Sequence, residues 1–250
     1  MSYETLHNFL PAIQSLQSFT KEDIMTNDFL LGQEGNLKMF YAPHNEFVNQ
    51  QAKIVIVGIT PGWQQTKMAF MQFTKSLATY SSIEKCLYDA KMAARFSGAM
   101  RVNLIEMLDQ CRIPSTLGIS SSAHLFKNDN LSLHTTSIIK YPVFIKEKNY
   151  TGHQPNALHS PLLKHYIYHA FPAEMGKIRQ SALVIPLGRA VEKLIFKLIE
   201  EQKLPNHHYV FGFPHPSGAN GHRIRQFKQE KQQLRKTINR WSTDTKHDHL

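Results

Sequence analysis

The run Lys53-Ile54-Val55-Ile56-Val57, continuing into Gly58-Ile59-Thr60-Pro61-Gly62-Trp63, decides the fold. An unbroken apolar, mostly β-branched stretch bounded by Gly and Pro reads as a strand buried on both faces that ends in a tight turn. A second such run, Tyr209-Val210-Phe211-Gly212-Phe213, breaks into Pro214 and then His215-Pro216-Ser217-Gly218-Ala219-Asn220-Gly221-His222-Arg223. If the two strands are parallel, both loops emerge at the same sheet edge, where α/β proteins build their sites.

Two more strands fit the same scheme. Leu131–Ile139 alternates early and turns apolar late, and Ala182–Leu187 is apolar throughout. Helical periodicity is predicted at Gln65–Tyr80, Ser82–Ala94, Arg101–Gln110, from Ser160-Pro161 to Phe171, from Gly188 to Glu201, and from His222 onward. Strands alternating with helices predict an α/β fold: a three-layer α/β/α sandwich around a four-stranded, mainly parallel sheet. We expect one domain over residues 1–250, with a helical N-terminal extension (1–50) and a frayed tail (242–250). Within the extension, residues 2–26 are amphipathic, with Pro11 in a first turn or at a break, and 27–52 read as irregular. Met39–Phe47 either lines a pocket or covers the sheet. Residues 115–130 and 145–157 read as loops.

Bulk properties exclude several classes. No apolar run in the 250 residues reaches the roughly 18 of a membrane span, and the N-terminus lacks a signal pattern, so a cytoplasmic protein is expected. Cys86 and Cys111 are too few for a disulfide framework or a four-thiolate iron–sulfur cluster, and read as reduced thiols. Glycine spacing matches neither dinucleotide nor P-loop motifs, and no G-x-S-x-G elbow is present. His165 and His169 have zinc-compatible spacing but no third ligand, and His207, His208, His247 and His249 read as solvated. No metal or cofactor is expected.

The net charge of +10 and pI near 9.5 point to a polyanionic partner, nucleic acid before an anionic membrane face. The last helix concentrates this charge. Arg223, Arg225, Lys228, Lys231, Arg235, Lys236 and Arg240 accompany one acid, Glu230, while Ile224, Phe227, Leu234, Ile238 and Trp241 form the inward stripe. Such cations either make a solvated face or steer a phosphate backbone; their place after the His-Pro-Ser loop favours steering.

Taken together, these pieces resemble the uracil-DNA glycosylase superfamily. Gly58-Ile59-Thr60-Pro61-Gly62 is similar to its first motif, above all to the Gly-Ile-Asn-Pro-Gly of the mismatch-specific uracil glycosylases. His215–Arg223 is similar to the His-Pro-Ser-Pro-Leu-Ser-Ala-His-Arg segment of other members. Ser137-Ile138-Ile139-Lys140 falls where several branches have Asn-Val-Val-Lys, and Val184–Arg189 resembles their strand and helix start.

The resemblance implies a monofunctional DNA glycosylase that flips a nucleotide out and hydrolyses its glycosidic bond, leaving an abasic site. His215 would stabilise the departing base and Thr60 would hold the water. Gly58, Ile59, Pro61, Gly62, Trp63, Gln64 and Ser137 would line the base pocket, with Trp63 or a neighbouring aromatic stacking on the base. Lys140, Pro216, Ser217, Gly218, Ala219, Asn220, His222, Arg223 and Arg225 would contact DNA, double- or single-stranded. The two loops would be opposite walls of that pocket, in a monomer.

Three departures shorten side chains: Thr60 for the water-orienting Asp or Asn, Ser137 for the uracil-reading Asn, and Ala219 for a Leu. Glu46 or Gln64 could take over the water-orienting role. The substrate then reads as a modified or mismatched base, including a bulky base of phage DNA. Two other readings stay open: a DNA- or RNA-binding member without activity, and a small-molecule α/β enzyme.

Overall fold

The computed structural model describes residues 3–96 and 98–247. In chain order the elements are α1 (Glu4–Ser15), α2 (Lys21–Ile24), β1 (Leu30–Glu34), β2 (Leu37–Phe40), β3 (Ile54–Gly58), α3 (Trp63–Leu77), α4 (Ile83–Ala94), α5 (Gly98–Gln110) and α6 (Ile113–Leu117). There follow β4 (Leu133–Ser137), β5 (Val143–Ile145), β6 (Lys148–Asn149), α7 (Pro161–His165), α8 (Phe171–Met175), β7 (Leu183–Pro186), α9 (Arg189–Glu200), β8 (His208–Tyr209) and α10 (Arg223–His247). The chain divides into two compact units: residues 1–48, 60–95 and 137–171 in the first, and 49–59, 96–136 and 172–250 in the second.

The second unit holds the anticipated sheet, in the order β4-β3-β7-β8. β3 pairs with β7 in parallel, Ile54 opposite Leu183, and β7 pairs with β8 in parallel. Their carboxyl ends therefore share one edge. Alternation decides which side chains face which helices. Ile54, Ile56, Leu183 and Ile185 point into a core shared with Leu104, Met107 and Leu108 of α5, Ile113 of α6, and Phe227, Leu234, Ile238 and Trp241 of α10. Val55, Val57 and Val184 are equally buried and face the other way, while α9 packs against β7 through an apolar stripe of Val191, Leu194, Ile195 and Leu198. The result is the three-layer α/β/α arrangement. The last strand ends at Tyr209, short of the apolar run 209–213; Val210 N still donates to Val184 O at 2.9 Å, and Gly212 then turns to φ +94°.

The first unit corrects the expectation of a purely helical extension followed by irregular chain. β1 and β2 form an antiparallel hairpin, β2 pairs with β5, and β5 with β6, in a sheet of order β1-β2-β5-β6. Gly35, at φ +55°, closes the first hairpin, and Gly32 sits where the register shifts. The β5–β6 turn places Lys146 and Glu147 at positive φ without any glycine, so residues 145–157 hid a strand. Pro11 lies inside α1 and not at a first turn or break; burial of Leu6 and Ile13 and stacking of Phe9 on Tyr41 at 4.4 Å offset its missing N–H. Helix 160–171 starts where expected, with Ser160 Oγ accepting from Leu163 N at 3.1 Å, and continues through a π-helical turn at Tyr166–Ala170. Residues 115–130 hold the end of α6, which begins at Ile113, and a short 3₁₀ turn, Ser122–Phe126. At the far end α10 is regular to His247, through most of the segment expected to fray; residues 248–250, with His249, lie outside the described residues.

Candidate active site

In the second unit the predicted loop residues are organised around His215. Gly188 follows β7 at φ +86° and ψ +160°, a combination close to glycine-only, and donates its N–H to Phe213 O at 2.9 Å. A Cβ at Gly188 would stand 3.3 Å from His215 Cβ. Glu192, one turn into α9, accepts a hydrogen bond from Gly212 N. Burial raises its carboxyl above the usual 4.5, opposed by hydrogen bonds from Gly212 and Phe213. The start of α9 thus holds the chain that leads to His215.

His215 itself is desolvated, and burial lowers its imidazole below the ordinary 6.5. Burial therefore favours its neutral form. Ser217 N donates to its Nδ1 at 3.2 Å, so the network puts the single ring proton on Nε2. The loop beyond is tied to itself. Ala219 N donates to Ser217 Oγ (3.2 Å), Asn220 Nδ2 donates to His215 O (3.2 Å), and His222 N donates to Asn220 Oδ1 (3.3 Å). Arg223 donates to Ser217 O at 3.0 Å, and Asn103 of α5 donates to Pro216 O at 2.9 Å. Gly218, Ala219, His222 and Arg225 are exposed. Gly58 and Ile59, also of this unit, end β3 at the same carboxyl edge.

The remaining predicted residues belong to the first unit. Thr60 Oγ1 donates to Tyr141 O at 2.7 Å and accepts from Val143 N at 3.1 Å, stapling the turn after β3 to the start of β5. Its proton is committed to the backbone, so towards water it can only accept. Pro61 is buried; Gly62 N donates to Gln65 Oε1 at 3.2 Å, and Trp63 N donates to Asn149 Oδ1 at 3.0 Å. Lys21 Nζ lies 5.9 Å from the centre of the Trp63 ring. Gln64 is exposed and Ser137 is buried at the end of β4.

Lys140 Nζ pairs with Glu46 Oε2 at 2.8 Å, and Tyr141 OH donates to Glu46 Oε1. Lys140 is therefore charge-compensated within the unit rather than presented as a lone cation. Burial, then Glu46, pushes the Tyr141 phenol well above its usual range. Asn45 donates to Lys140 O at 2.7 Å and accepts from the buried Lys91 at 2.6 Å. His44 is fully enclosed, and desolvation, then Lys91, holds it well below 6.5. Met39–Phe47, for which pocket lining and sheet cover were both open, supplies this polar cluster through Tyr41, His44, Asn45 and Glu46. Asn103, Asn149, Tyr141, Gly188 and Glu192 were not singled out from sequence as site residues. Only Gly188 carried a signal, as a glycine between an apolar strand and a helix.

Among the described residues no group of three or more His, Cys, Asp or Glu could hold a metal ion, and no helix is long and apolar enough to cross a membrane. Both cysteines are free and buried, and burial pushes the Cys111 thiol up to about 12.

No protein-family model matches the sequence. The uncharacterized protein YoxB of Bacillus subtilis (strain 168) is 49% identical over 235 residues, covering 94% of this chain and 90% of that protein. The chain belongs to the YoxB family. Among solved structures, that of wild-type Pedobacter heparinus SMUG2 is similar at 15% identity and a TM-score of 0.46, with 97% of each chain covered.

Proposed function

We propose that this YoxB-family protein is a monofunctional DNA glycosylase acting on a modified or mismatched base. The observation that carries the reading is His215: a neutral imidazole, desolvated, with Nδ1 occupied by Ser217 N and its one proton on Nε2. A fixed donor of this kind suits a leaving group that gains negative charge as its bond breaks. In the reaction the C1′–N bond breaks and its electron pair leaves with the base. Water oxygen bonds to C1′ and loses a proton to bulk solvent, which returns one to the departed base anion. His215 Nε2–H donates to the departing base, and Thr60 accepts a hydrogen bond from the water without acting as its base. Trp63 stacks on the base, and the short Ser137 and Ala219 suit a base larger than uracil, including a modified base of phage DNA. Ser217, Asn220, Arg223 and Arg225 serve the DNA backbone. No step uses a Lys Schiff base, so the product is an intact abasic site.

A second reading, a DNA-binding protein without this activity, is favoured by one observation: the Thr60 proton goes to Tyr141 O, and both Glu46 oxygens are engaged by Lys140 and Tyr141. Neither group is a ready base. The test is a panel of duplexes carrying altered or mismatched bases, incubated with protein and then heated in alkali. Scission with wild type and not with His215→Ala supports the enzyme. Salt-sensitive binding without scission on any base supports the second reading.

A further inference from the structure

α10 runs from one edge of the parallel sheet to the other. It begins at Arg223, directly after the loop that carries His215 at the carboxyl edge, and near its far end Trp241 Nε1 donates to Ser181 O at 3.4 Å, beside the amino end of β7. Of its five expected inward residues, Phe227, Leu234, Ile238 and Trp241 are buried and hold it in the core, while Ile224, on the first turn, is 76% exposed. The other end of the helix therefore marks a second face of this unit, the amino edge of the sheet.

Four loops enter the sheet there, at 49–53, 127–132, 176–182 and 202–207, and hydrogen bonds stitch them together. Lys53 N and Ile54 N donate to Ser132 O at 2.9 Å, Arg179 N to Gln50 O at 3.0 Å, and Ser181 Oγ to Asn206 O at 3.2 Å. This frame carries Lys53, Lys127, Lys177, Arg179 and Lys203, all exposed, against one acid, Asp129. Lys53, Lys177, Arg179 and Lys203 make no ion pair among the described residues. Glu200 and Glu201, next along the chain, end α9, and Glu201 is paired with Lys197 at 2.9 Å.

Like charges gathered on a fixed frame repel one another and oppose folding, whereas a row of phosphates relieves the repulsion. The four loops contain no Phe, Tyr or Trp on which an unstacked base could lie, so they suit the backbone of intact duplex and not a single strand. The five residues of β3 separate this edge from the His215 edge by about 17 Å. A straight duplex lying over the His215 loop does not turn through the height of the sheet to reach it.

We propose that the amino edge binds the phosphate backbone of a second duplex, so that one chain bridges two DNA segments. The proposal rests on DNA being the partner, and not on base excision.

The test uses the full-length protein, an excess of duplex about one helical turn long, and sedimentation velocity, which counts chains and duplexes in each complex. Wild type should saturate as one chain with two duplexes. Lys53→Gln, Lys177→Gln and Lys203→Gln combined leave the bond from Arg179 to Gln50 in place. That variant should weaken the second duplex about tenfold or more, with the first bound as in wild type and thermal stability unchanged. Arg225→Gln with Lys228→Gln should do the reverse, weakening the duplex at the His215 edge and sparing the other. Saturation of wild type by one duplex overturns the proposal, as does a combined variant that takes two as tightly as wild type, or a two-duplex complex holding two chains. Failure of wild type to bind any duplex overturns both this proposal and the enzyme reading. Two duplexes bound, with no scission on any altered base, sinks base excision alone.

Discussion

Thr60 has one proton to donate, and it goes to Tyr141 O while Val143 N donates in return. Its first duty is therefore to fix a turn. Thr60→Ser should keep both bonds and change stability little. Thr60→Val should leave a backbone carbonyl and N–H without their partner and cost about 1–3 kcal/mol in urea denaturation. Equal stability of the two variants would show that the staple is immaterial. Gly188 offers a second test at this scale. Its φ of +86° with ψ +160° is nearly closed to other residues, and a new methyl would press on His215 Cβ at 3.3 Å. Gly188→Ala should cost about 1–3 kcal/mol and lower any base-release rate beyond what its stability loss explains. A variant as stable and as active as wild type would contradict this account of the His215 loop.

At the scale of elements, the apolar runs were legible because each has one period and one environment. Ile54–Gly58 and Leu183–Pro186 are buried on both faces, so composition alone marks them as interior strands. The antiparallel sheet of the first unit was not legible. Its strands have five, four, three and two residues, and the Lys146–Glu147 turn carries none of the residues that announce a hairpin. The site shows the same division. His215 and the turn after β3 stand in motifs that a reader can find, whereas Asn103 and Glu192 act through distant partners, Pro216 and Gly212, that no local pattern reveals. Ile224 was misplaced for a related reason: spacing assigns a helix face, but at the first turn that face has no neighbour to bury it. At this scale α10, 25 residues and about 37 Å long, carries the basic stripe. Replacing the exposed Lys236 and Arg240 by Gln should weaken binding to all duplex sequences alike, measured by titration at two salt concentrations. Loss confined to one sequence would contradict an electrostatic role.

For the whole molecule, pH supplies a direct check on the desolvated histidines, among them His207, which the sequence suggested was solvated but which is half-buried against Met175 O at 3.3 Å. His44, His207 and His215 all fall below 6.5, chiefly by desolvation. Between their lowered values and 6.5 the unfolded chain binds protons that the folded protein refuses, so stability falls as pH drops through that window and levels off above it. The slope is at most about 1.4 kcal/mol per pH unit for the fully enclosed His44, and smaller for the half-buried, solvent-screened His207 and His215. Glu192, raised from 4.5, works in the opposite direction nearer its own range. Urea denaturation at pH 7.5 and 5.5 should find the protein less stable at 5.5; equal or greater stability there would remove the argument for a neutral, desolvated His215. The central claim is chemical, and the measurement closest to it is free base released from an altered-base duplex in a single turnover. Wild type should release the base, and His215→Ala, folded and DNA-bound, should do so about 10²–10³ times more slowly. Equal rates for the two proteins would contradict the account.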